Sequence, residues 1–388
     1  MLEVYIGPNG FGKTTKLNNI KTSLINNGID EGEILFLESE ILLLDEVKDT
    51  KDSTKTMEYI LTELLITPEI SAAKRELEDQ VDRIINSNVQ NLNVMVENLL
   101  RINNQSRTVN FLNTTPAKEY KKLVSIDSTD VKRRMGSGQR MQLILELVKS
   151  SRKNYIFLDE PEKYSHPSML NKTAKLIEEI AQNKNVYIAT HSPKLLSMIN
   201  VELSNIFIIN DDTHNPKSIE FQTVLQELSA LNINNFNAKS KTYFDLMGLK
   251  KNIKELHYRE FIESLFTKKV YICEGVNDEL FIKKLLMHKG LYNDDYVIFH
   301  SYGKHHMIVF AEIYKSLGVN FQVFFDKDNE QNASHLIANQ KLITYDHYMF
   351  DDKIENELGF DGDKTNAVQF ISFLETIDYD LREYLINN

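Results

Sequence analysis

Cysteine, proline and glycine are scarce in this chain of 388 residues, and each scarcity excludes a class of protein. The single cysteine, Cys273, excludes a disulfide framework and a cysteine zinc site, and it favours a reducing compartment, the cytoplasm. The 14 glycines and 7 prolines, beside 42% hydrophobic residues, are typical of a folded, helix-rich protein and not of a fibrous or disordered one. A chain of this length is expected to form two domains.

Long apolar runs and an excess of positive charge are also missing. No stretch approaches the ~18 apolar residues of a membrane span, and the start at Met1 carries no basic leader, so we expect neither membrane insertion nor secretion. The balance of 45 Lys and Arg against 56 Asp and Glu gives a net charge of −11, which predicts no general affinity for nucleic acid. Residues 265–388 hold 12 basic and 20 acidic side chains, so the acidic residues concentrate in the C-terminal third.

The apolar pattern predicts an α/β protein with two domains. Compact apolar runs at 2–6, 155–158 and 186–189 are typical of strands buried in a parallel sheet, and a second α/β pattern begins near residue 270. We expect a first domain over 1–230, with a helical insertion at about 56–103, then a connection over 231–264 and a second domain over 265–388. The apolar stripes of the insertion fit either subunit contacts or packing against the first domain.

A phosphate-binding loop follows the first predicted strand. The pattern Gly7-x-x-x-x-Gly12-Lys13-Thr14 stands between a strand and a helix, which is the context that its mechanism requires. Glycines let backbone N–H groups turn toward phosphates, Lys13 is expected to reach the β- and γ-phosphates, and Thr14 is expected to bind Mg²⁺. The residues predicted to hold ATP here are Asn9, Gly10, Gly12, Lys13, Thr14 and Thr15.

Three further elements complete a nucleotide site. Asp159 and Glu160 end a buried strand, where Asp159 is suited to hold Mg²⁺ and Glu160 to orient or deprotonate the attacking water. His191 follows the next strand and is placed to sense a γ-phosphate. Between the loop and these acids, a helix N-terminus offers amides to a phosphate. Its residues are Ser137, Gly138 and Gln139.

In this order, the four elements resemble those of the ABC-type ATPases: phosphate loop, signature loop, Asp-Glu strand end and switch histidine. Glu-Pro-Glu from Glu160, followed by His166-Pro167, is similar to the nuclease-linked branch of that family. The resemblance implies a homodimer, because the signature loop of one subunit completes the nucleotide site of another. Members of this family usually have a glutamine after the first strand. In this sequence Glu38 and Glu40 are the two candidates for that position.

A second group of acids stands at strand ends in the C-terminal domain. Glu274 and Asp278 follow the strand Val270–Cys273, and Asp326 and Asp328 follow the strand that begins near Phe321. Carboxyl ends of parallel strands meet at one edge of a sheet, where α/β proteins build their sites. Carboxylate oxygens at this edge suit Mg²⁺ or Mn²⁺.

The two acid motifs resemble the Toprim fold, and an ABC ATPase followed by a Toprim domain resembles the overcoming lysogenization defect (OLD) family of endonucleases. The resemblance implies that Glu274, Asp278, Asp326 and Asp328 bind two divalent ions. It also implies that Glu355 helps to hold the second ion, with Glu357 as the competing choice, and that Lys364 is a catalytic lysine at the scissile phosphate.

The sequence therefore predicts an ATP-regulated, divalent-metal-dependent DNA endonuclease or nickase that acts as a homodimer or larger homo-oligomer. A role in antiviral defence is implied by the family resemblance and by no residue. The alternative is a nucleotide-switched effector subunit whose nuclease is held inactive in a larger complex with protein, RNA or DNA, such as a reverse-transcriptase assembly. The two ions of the Toprim site would activate water and stabilise the leaving oxygen of a phosphodiester.

Overall fold

The computed structural model describes twelve stretches of the chain. These are residues 1–39, 109–110, 125–126, 129–130, 136–163, 165–210, 215–229, 231, 246–256, 258–327, 333–380 and 382. The helical insertion predicted at about 56–103 and the candidate Glu40 lie outside them. The chain divides into two compact units: Met1–Tyr5 with Gly12–Glu202, and Ile6–Phe11 with Leu203–Asn388.

The described strands and helices alternate along most of the chain. The strands are β1 (Leu2–Ile6), β2 (Ile34–Leu37), β3 (Val109–Asn110), β4 (Ser125–Ile126), β5 (Thr129–Asp130), β6 (Tyr155–Asp159), β7 (Asn185–Thr190), β8 (Ile206–Ile208), β9 (Lys269–Cys273), β10 (Tyr296–His300), β11 (Phe321–Asp326) and β12 (His347–Phe350). The helices are α1 (Lys13–Asn26), α2 (Ser137–Ser150), α3 (Pro167–Ala181), α4 (Pro193–Met198), α5 (Phe221–Ser229), α6 (Leu246–Leu256), α7 (Tyr258–Ser264), α8 (Val276–His288), α9 (Lys304–Leu317), α10 (Ala333–Leu342), α11 (Ile354–Leu358) and α12 (Ala367–Leu374).

The first sheet has five strands in the order β2-β6-β7-β1-β8. The pairs β2–β6 and β6–β7 are parallel, as the continuous apolar runs predict for strands covered on both faces. The Phe157 ring stacks between two neighbouring rings, with centroids 5.7 Å from Phe36 and 4.8 Å from Tyr187. The strand β6 thus lies between β2 and β7, and Asp159 and Glu160 lie at its carboxyl end.

The second sheet has four parallel strands in the order β10-β9-β11-β12. Cys273, the last residue of β9, pairs with His300 on one side and Phe324 on the other, so the strands end nearly level. Cys273 is fully buried in the apolar cluster between this sheet and its helices. The α/β fold with parallel sheets is thus confirmed, while β12 is a strand that we did not predict.

Three smaller features complete the description. The strands β3, β4 and β5 form a separate antiparallel sheet. The segment predicted as a connection, 231–264, contains the helices α6 and α7. Among the described helices, none is both long and apolar enough to span a membrane.

Candidate functional site

The phosphate-binding loop leads from β1 into α1, as predicted. Gly7, Gly10 and Gly12 have φ angles of +149°, +86° and +86°, a backbone that other residues rarely adopt. A side chain at position 7 is also excluded by space, because its Cβ would lie 2.1 Å from the carbonyl oxygen of Ile209. Asn9 is exposed at the tip of this turn. The loop therefore keeps a backbone shape that only glycine allows at these positions.

Lys13 and Thr14 begin α1 and face different partners. Lys13 is buried, with 6% of its surface exposed, and this burial lowers the pKa of its amine although nearby Glu160, Asp159 and Glu162 oppose the shift. The Thr14 hydroxyl donates a hydrogen bond of 2.9 Å to Asp159 Oδ2. Burial raises the pKa of Asp159, and the Thr14 hydrogen bond acts against it. A hydroxyl and a carboxylate thus meet at one point, and these are donors that Mg²⁺ prefers.

Glu160 turns away from β6 toward the end of β7. Its φ of +50° is unusual for a residue other than glycine, and its N–H donates to the carbonyl of Ala189 over 2.8 Å. Its Oε1 lies 3.0 Å from Nδ1 of His191, and its Oε2 lies 3.6 Å from Nζ of Lys163. The strained backbone directs the carboxylate to the predicted switch histidine, so the structure brings these two predicted residues together.

Glu162 is a residue of this site to which we assigned no role from the sequence. It is 9% exposed and accepts hydrogen bonds from the Thr190 hydroxyl at 2.5 Å and from the His191 N–H at 3.3 Å. Burial raises the pKa of its carboxyl. The Glu-Pro-Glu sequence was the signal available, since the second glutamate follows the first by two positions. Glu162 therefore supports the loop that carries His191.

The signature loop opens α2, as predicted for a helix N-terminus. Gln139 folds back, and its Oε1 accepts a hydrogen bond of 3.2 Å from the N–H of Gly136. Gly138 is buried, and a Cβ there would lie 3.1 Å from Sδ of Met169. Ser137 is the first residue of the helix. Binding of nucleotide by these residues stays a prediction.

The acids of the C-terminal domain line one open cavity of about 590 Å³ at the carboxyl edge of the second sheet. Of the predicted residues, the cavity is lined by Glu274, Asp278, Asp326, Glu355 and Lys364. Glu357 points elsewhere, because its Oε1 accepts from the N–H groups of Asp351 and Asp352. The structure thus favours Glu355 over Glu357 as the later acid. Asp328 lies outside the described residues.

The carboxylates of this cavity crowd one another. The pKa of Asp326 is raised to about 7, first by burial and then by the charges of Glu274 and Glu355. The pKa of Asp278 is raised well above its ordinary range by burial and by Asp326, although Gly275 donates its N–H to Asp278 Oδ2 over 2.7 Å. Oδ1 of Asp326 is buried with no hydrogen-bond partner among the described residues. Four carboxylates thus line the cavity together with two lysines, Lys353 and Lys364.

Lys304 is a buried cation at this cavity that sequence analysis did not assign. Lys304 has 3% of its surface exposed. Its Nζ lies 3.6 Å from Glu274 Oε2 and 5.8 Å from the centre of the Phe325 ring. Nζ also donates to the main-chain carbonyl of Asp326. Lys364, by contrast, is exposed and donates from Nζ to Oδ1 of Asn356. The structure thus places one lysine in contact with Glu274 and the main chain of Asp326, and the other at the surface of the cavity.

Divalent ions are what the predicted function requires here, and the donor chemistry fits them. All the lining acids offer hard oxygens, and the partnerless Oδ1 of Asp326 is a ligand atom that no described group uses. Among the described residues, however, no group of three or more His, Cys, Asp or Glu that could hold a metal ion is found. The predicted ligand set, which also includes Asp328, is therefore not assembled within the described part of the chain.

Known proteins similar to this chain include one curated relative and several solved structures. An uncharacterized protein of Methanocaldococcus jannaschii, MJECL11, is 35% identical over 68 residues, which are 17% of this chain and 60% of that protein. The SmcHead bound to the C-winged helix domain of ScpA has a TM-score of 0.38 and 9% identity, over 57% of this chain and 91% of that one. A dimeric post-hydrolysis state of the ATP-binding cassette MJ0796, bound to ADP and Pi, has a TM-score of 0.31 and 14% identity, over 55% and 82%.

Two family models match the chain in sequence order. The AAA ATPase domain family matches residues 44–196. The family of overcoming lysogenization defect protein-like TOPRIM domains matches residues 265–328, the part that carries β9, β10 and β11. Together the two matches confirm the resemblance drawn from the motifs: the chain has an ATPase domain followed by a Toprim domain of the OLD-like family.

Proposed function

We propose that this chain is an ATP-hydrolysing, divalent-metal-dependent DNA endonuclease or nickase. The observation that carries the proposal is the cavity at the carboxyl edge of the second sheet, which is lined by Glu274, Asp278, Asp326 and Glu355. Two of these carboxylates, Asp278 and Glu355, are buried, and neighbouring buried carboxylates are costly in a protein unless cations offset their charge. DNA is a polyanion and is repelled by carboxylates, so it can approach an acidic cavity of this kind only together with cations.

We assign different roles in phosphodiester hydrolysis to the predicted residues and to Lys304. Glu274, Asp278, Asp326, Asp328 and Glu355 would hold two Mg²⁺ or Mn²⁺ ions, which when bound activate water and stabilise the leaving oxygen. Lys364, exposed at the cavity surface, would bind the scissile phosphate through its ammonium group. The buried Lys304 holds Glu274 and the main chain of Asp326 in place from below.

The nucleotide site supports ATP hydrolysis by a separate set of residues. Lys13 would bind the β- and γ-phosphates, and the paired Thr14 and Asp159 would hold Mg²⁺. Glu160 faces His191 at 3.0 Å, a pair suited to orient a water for attack and to sense the γ-phosphate. ATP binding is therefore proposed to depend on Lys13, and ATP hydrolysis on Glu160 and His191.

A homodimer would complete the nucleotide site through Ser137, Gly138 and Gln139 of a second copy. The proposal rests on the position of these residues at the N-terminus of a 14-residue helix, whose amides suit a phosphate. Mixing Lys13→Ala chains with Ser137→Arg chains tests it, because each is expected to be inactive alone while the mixed dimer keeps one intact composite site. Partial return of ATPase activity is expected, and no return from demonstrated mixed dimers would reject the shared site.

The biological setting is proposed from the family resemblance. A role in antiviral defence and a cytoplasmic location fit that resemblance, and the one cysteine is a free, buried thiol rather than half of a disulfide. The chain spans 60% of the length of the curated relative it matches, and that relative is itself uncharacterized.

Cleavage of supercoiled plasmid by the purified chain tests the proposed nuclease directly. We expect relaxed or linear DNA to appear with Mn²⁺ or Mg²⁺ and not with a chelator, and we expect Asp326→Ala to remove the activity. Parallel reactions with and without ATP show whether nucleotide activates or restrains cleavage. Cleavage that persists in chelator, or equally in Asp326→Ala, would reject the proposal.

A further inference from the structure

Asn277 joins two segments of the nuclease cavity that are far apart in the sequence. It is the second residue of α8 and lines the cavity beside Asp278. Its side-chain nitrogen donates one hydrogen bond of 2.6 Å to Glu355 Oε1 and another of 3.0 Å to the main-chain carbonyl of Lys364. One amide group therefore touches both the later acid and the backbone of the predicted catalytic lysine.

The two segments that Asn277 connects have little secondary structure of their own. Glu355 belongs to α11, a helix of five residues, and Lys364 lies in the loop between this helix and α12. The ammonium group of Lys364 donates to the side chain of Asn356, the neighbour of Glu355. The distance from Glu355 to Lys364 is therefore fixed at two points, one on the lysine backbone and one on its side chain.

An asparagine has the chemistry that this position needs. Its neutral NH₂ group donates two hydrogen bonds at once, which serine and threonine hydroxyls cannot do. An aspartate would place a further negative charge against Glu355, in a cavity that already holds four carboxylates. A hydrogen bond to one oxygen of a metal-binding carboxylate fixes its orientation, and such supporting contacts tune metal affinity.

We propose that Asn277 is a positioning residue of the nuclease site, which sets Glu355 and Lys364 so that metal ligand and cation act on one phosphodiester. The inference rests on the proposed nuclease function. It predicts that loss of the Asn277 side chain weakens metal binding, because Glu355 is no longer held in place. It also predicts slower DNA cleavage, because both Glu355 and Lys364 are displaced. Asn277 itself touches neither ion nor substrate in this account.

Two substitutions and two measurements test the proposal. Asn277→Ala and Asn277→Asp are each expected to lower plasmid cleavage by about 10- to 100-fold, the usual effect of losing such a supporting contact. Mn²⁺ binding, measured without DNA by electron paramagnetic resonance, is expected to weaken in Asn277→Ala by about tenfold. Asn277→Asp keeps the size of the side chain, so it removes the donors and adds a charge without loss of packing. Asn293→Ala is the matched control, because its side chain accepts from Asp295 N–H outside the cavity lining.

Coupling to Glu355 distinguishes positioning from general stability. In a Glu355→Ala background, adding Asn277→Ala is expected to cause no further loss of Mn²⁺ binding, because the affected ligand is already absent. Equal additional loss in that background would overturn the inference, as would unchanged cleavage in Asn277→Ala. Either result can occur while the wild-type protein still cleaves with Mn²⁺, so the inference can fail alone. A wild-type protein without metal-dependent cleavage would instead overturn the proposed function and the inference together.

Discussion

The nucleotide site and the nuclease cavity differ in what surrounds their carboxylates. Around the phosphate loop, each acid is hydrogen-bonded to a group from another part of the chain: Asp159 to Thr14, Glu160 to His191, and Glu162 to Thr190. In the nuclease cavity Asp278 and Glu355 also accept hydrogen bonds, but the pKa values of Asp278 and Asp326 are raised by burial and by the charges of neighbouring acids.

The difference bears on what each site is proposed to bind. The nucleotide site has a buried lysine, Lys13, beside its hydrogen-bonded acids, which suits an anion with its Mg²⁺. The nuclease cavity is lined by four carboxylates and by the exposed Lys353 and Lys364, and Glu274 also contacts the buried Lys304. Its carboxylate oxygens suit divalent cations, so we predict that the two sites respond to different substitutions.

The largest expected effect separates the two activities. Asp326→Ala or Glu274→Ala is expected to lower divalent-dependent DNA cleavage by about 10³-fold or more, because each removes a carboxylate from the cavity that metal ions would occupy. ATP hydrolysis should stay within a few-fold, since both acids line the nuclease cavity and neither is a residue of the nucleotide site. Paired plasmid-cleavage and phosphate-release assays on the same preparations measure both. Loss of ATP hydrolysis with intact cleavage would break the two-site comparison.

The next effect sharpens the roles within the nucleotide site. Lys13→Ala is expected to weaken ATP binding by roughly 100-fold, because it removes a cation that contacts phosphate oxygens. Glu160→Gln should bind ATP normally and lower turnover by about 10²-fold or more, because the amide cannot accept a proton. Nucleotide binding by calorimetry and turnover by phosphate release check the pair. Equal loss of affinity in both variants would contradict these assignments.

How far the sequence predicted these sites depends on whether a residue acts through a local motif. The phosphate loop, Asp159 and Glu160 follow from spacing and strand ends, because a short segment contains all the information. Likewise, Glu274 and Asp326 follow from the rule that parallel strands end at one edge. Asn277 and Lys304 did not, since their partners lie 87 and 22 residues away and are brought near only by packing.

Secondary structure shows the same limit. The strands β9 and β11 were predicted from their apolar runs, and the structure confirms them. The strand β12, His347–Phe350, was not predicted, because a run of four residues with mostly half-buried side chains has no clear period. Likewise the choice between Glu355 and Glu357 needed the fold, since both lie on one short helix and only the first reaches the cavity.

The smallest expected effect concerns stability without metal. Asp326 has a folded-state pKa of about 7, above that of an unfolded chain, so its ionisation destabilises the fold. The metal-free wild-type protein should therefore lose stability as the pH rises from about 4 through 7, by roughly 1–3 kcal/mol. Asp326→Asn should lack the part of this loss that Asp326 contributes, and it should melt at a higher temperature near pH 8. A lower melting temperature for Asp326→Asn there would mean that the acids do not repel one another as described.

Mn²⁺ binding without nucleotide tests most directly the claim that the nuclease cavity is a divalent-ion site of its own. The measurement is a titration by electron paramagnetic resonance of the wild-type protein, Thr14→Ala and Asp326→Ala. We expect the wild-type protein and Thr14→Ala to bind Mn²⁺ with affinities within about twofold, because Thr14 belongs to the other site. Asp326→Ala is expected to lose this binding. Retained binding in Asp326→Ala together with loss in Thr14→Ala would contradict the account.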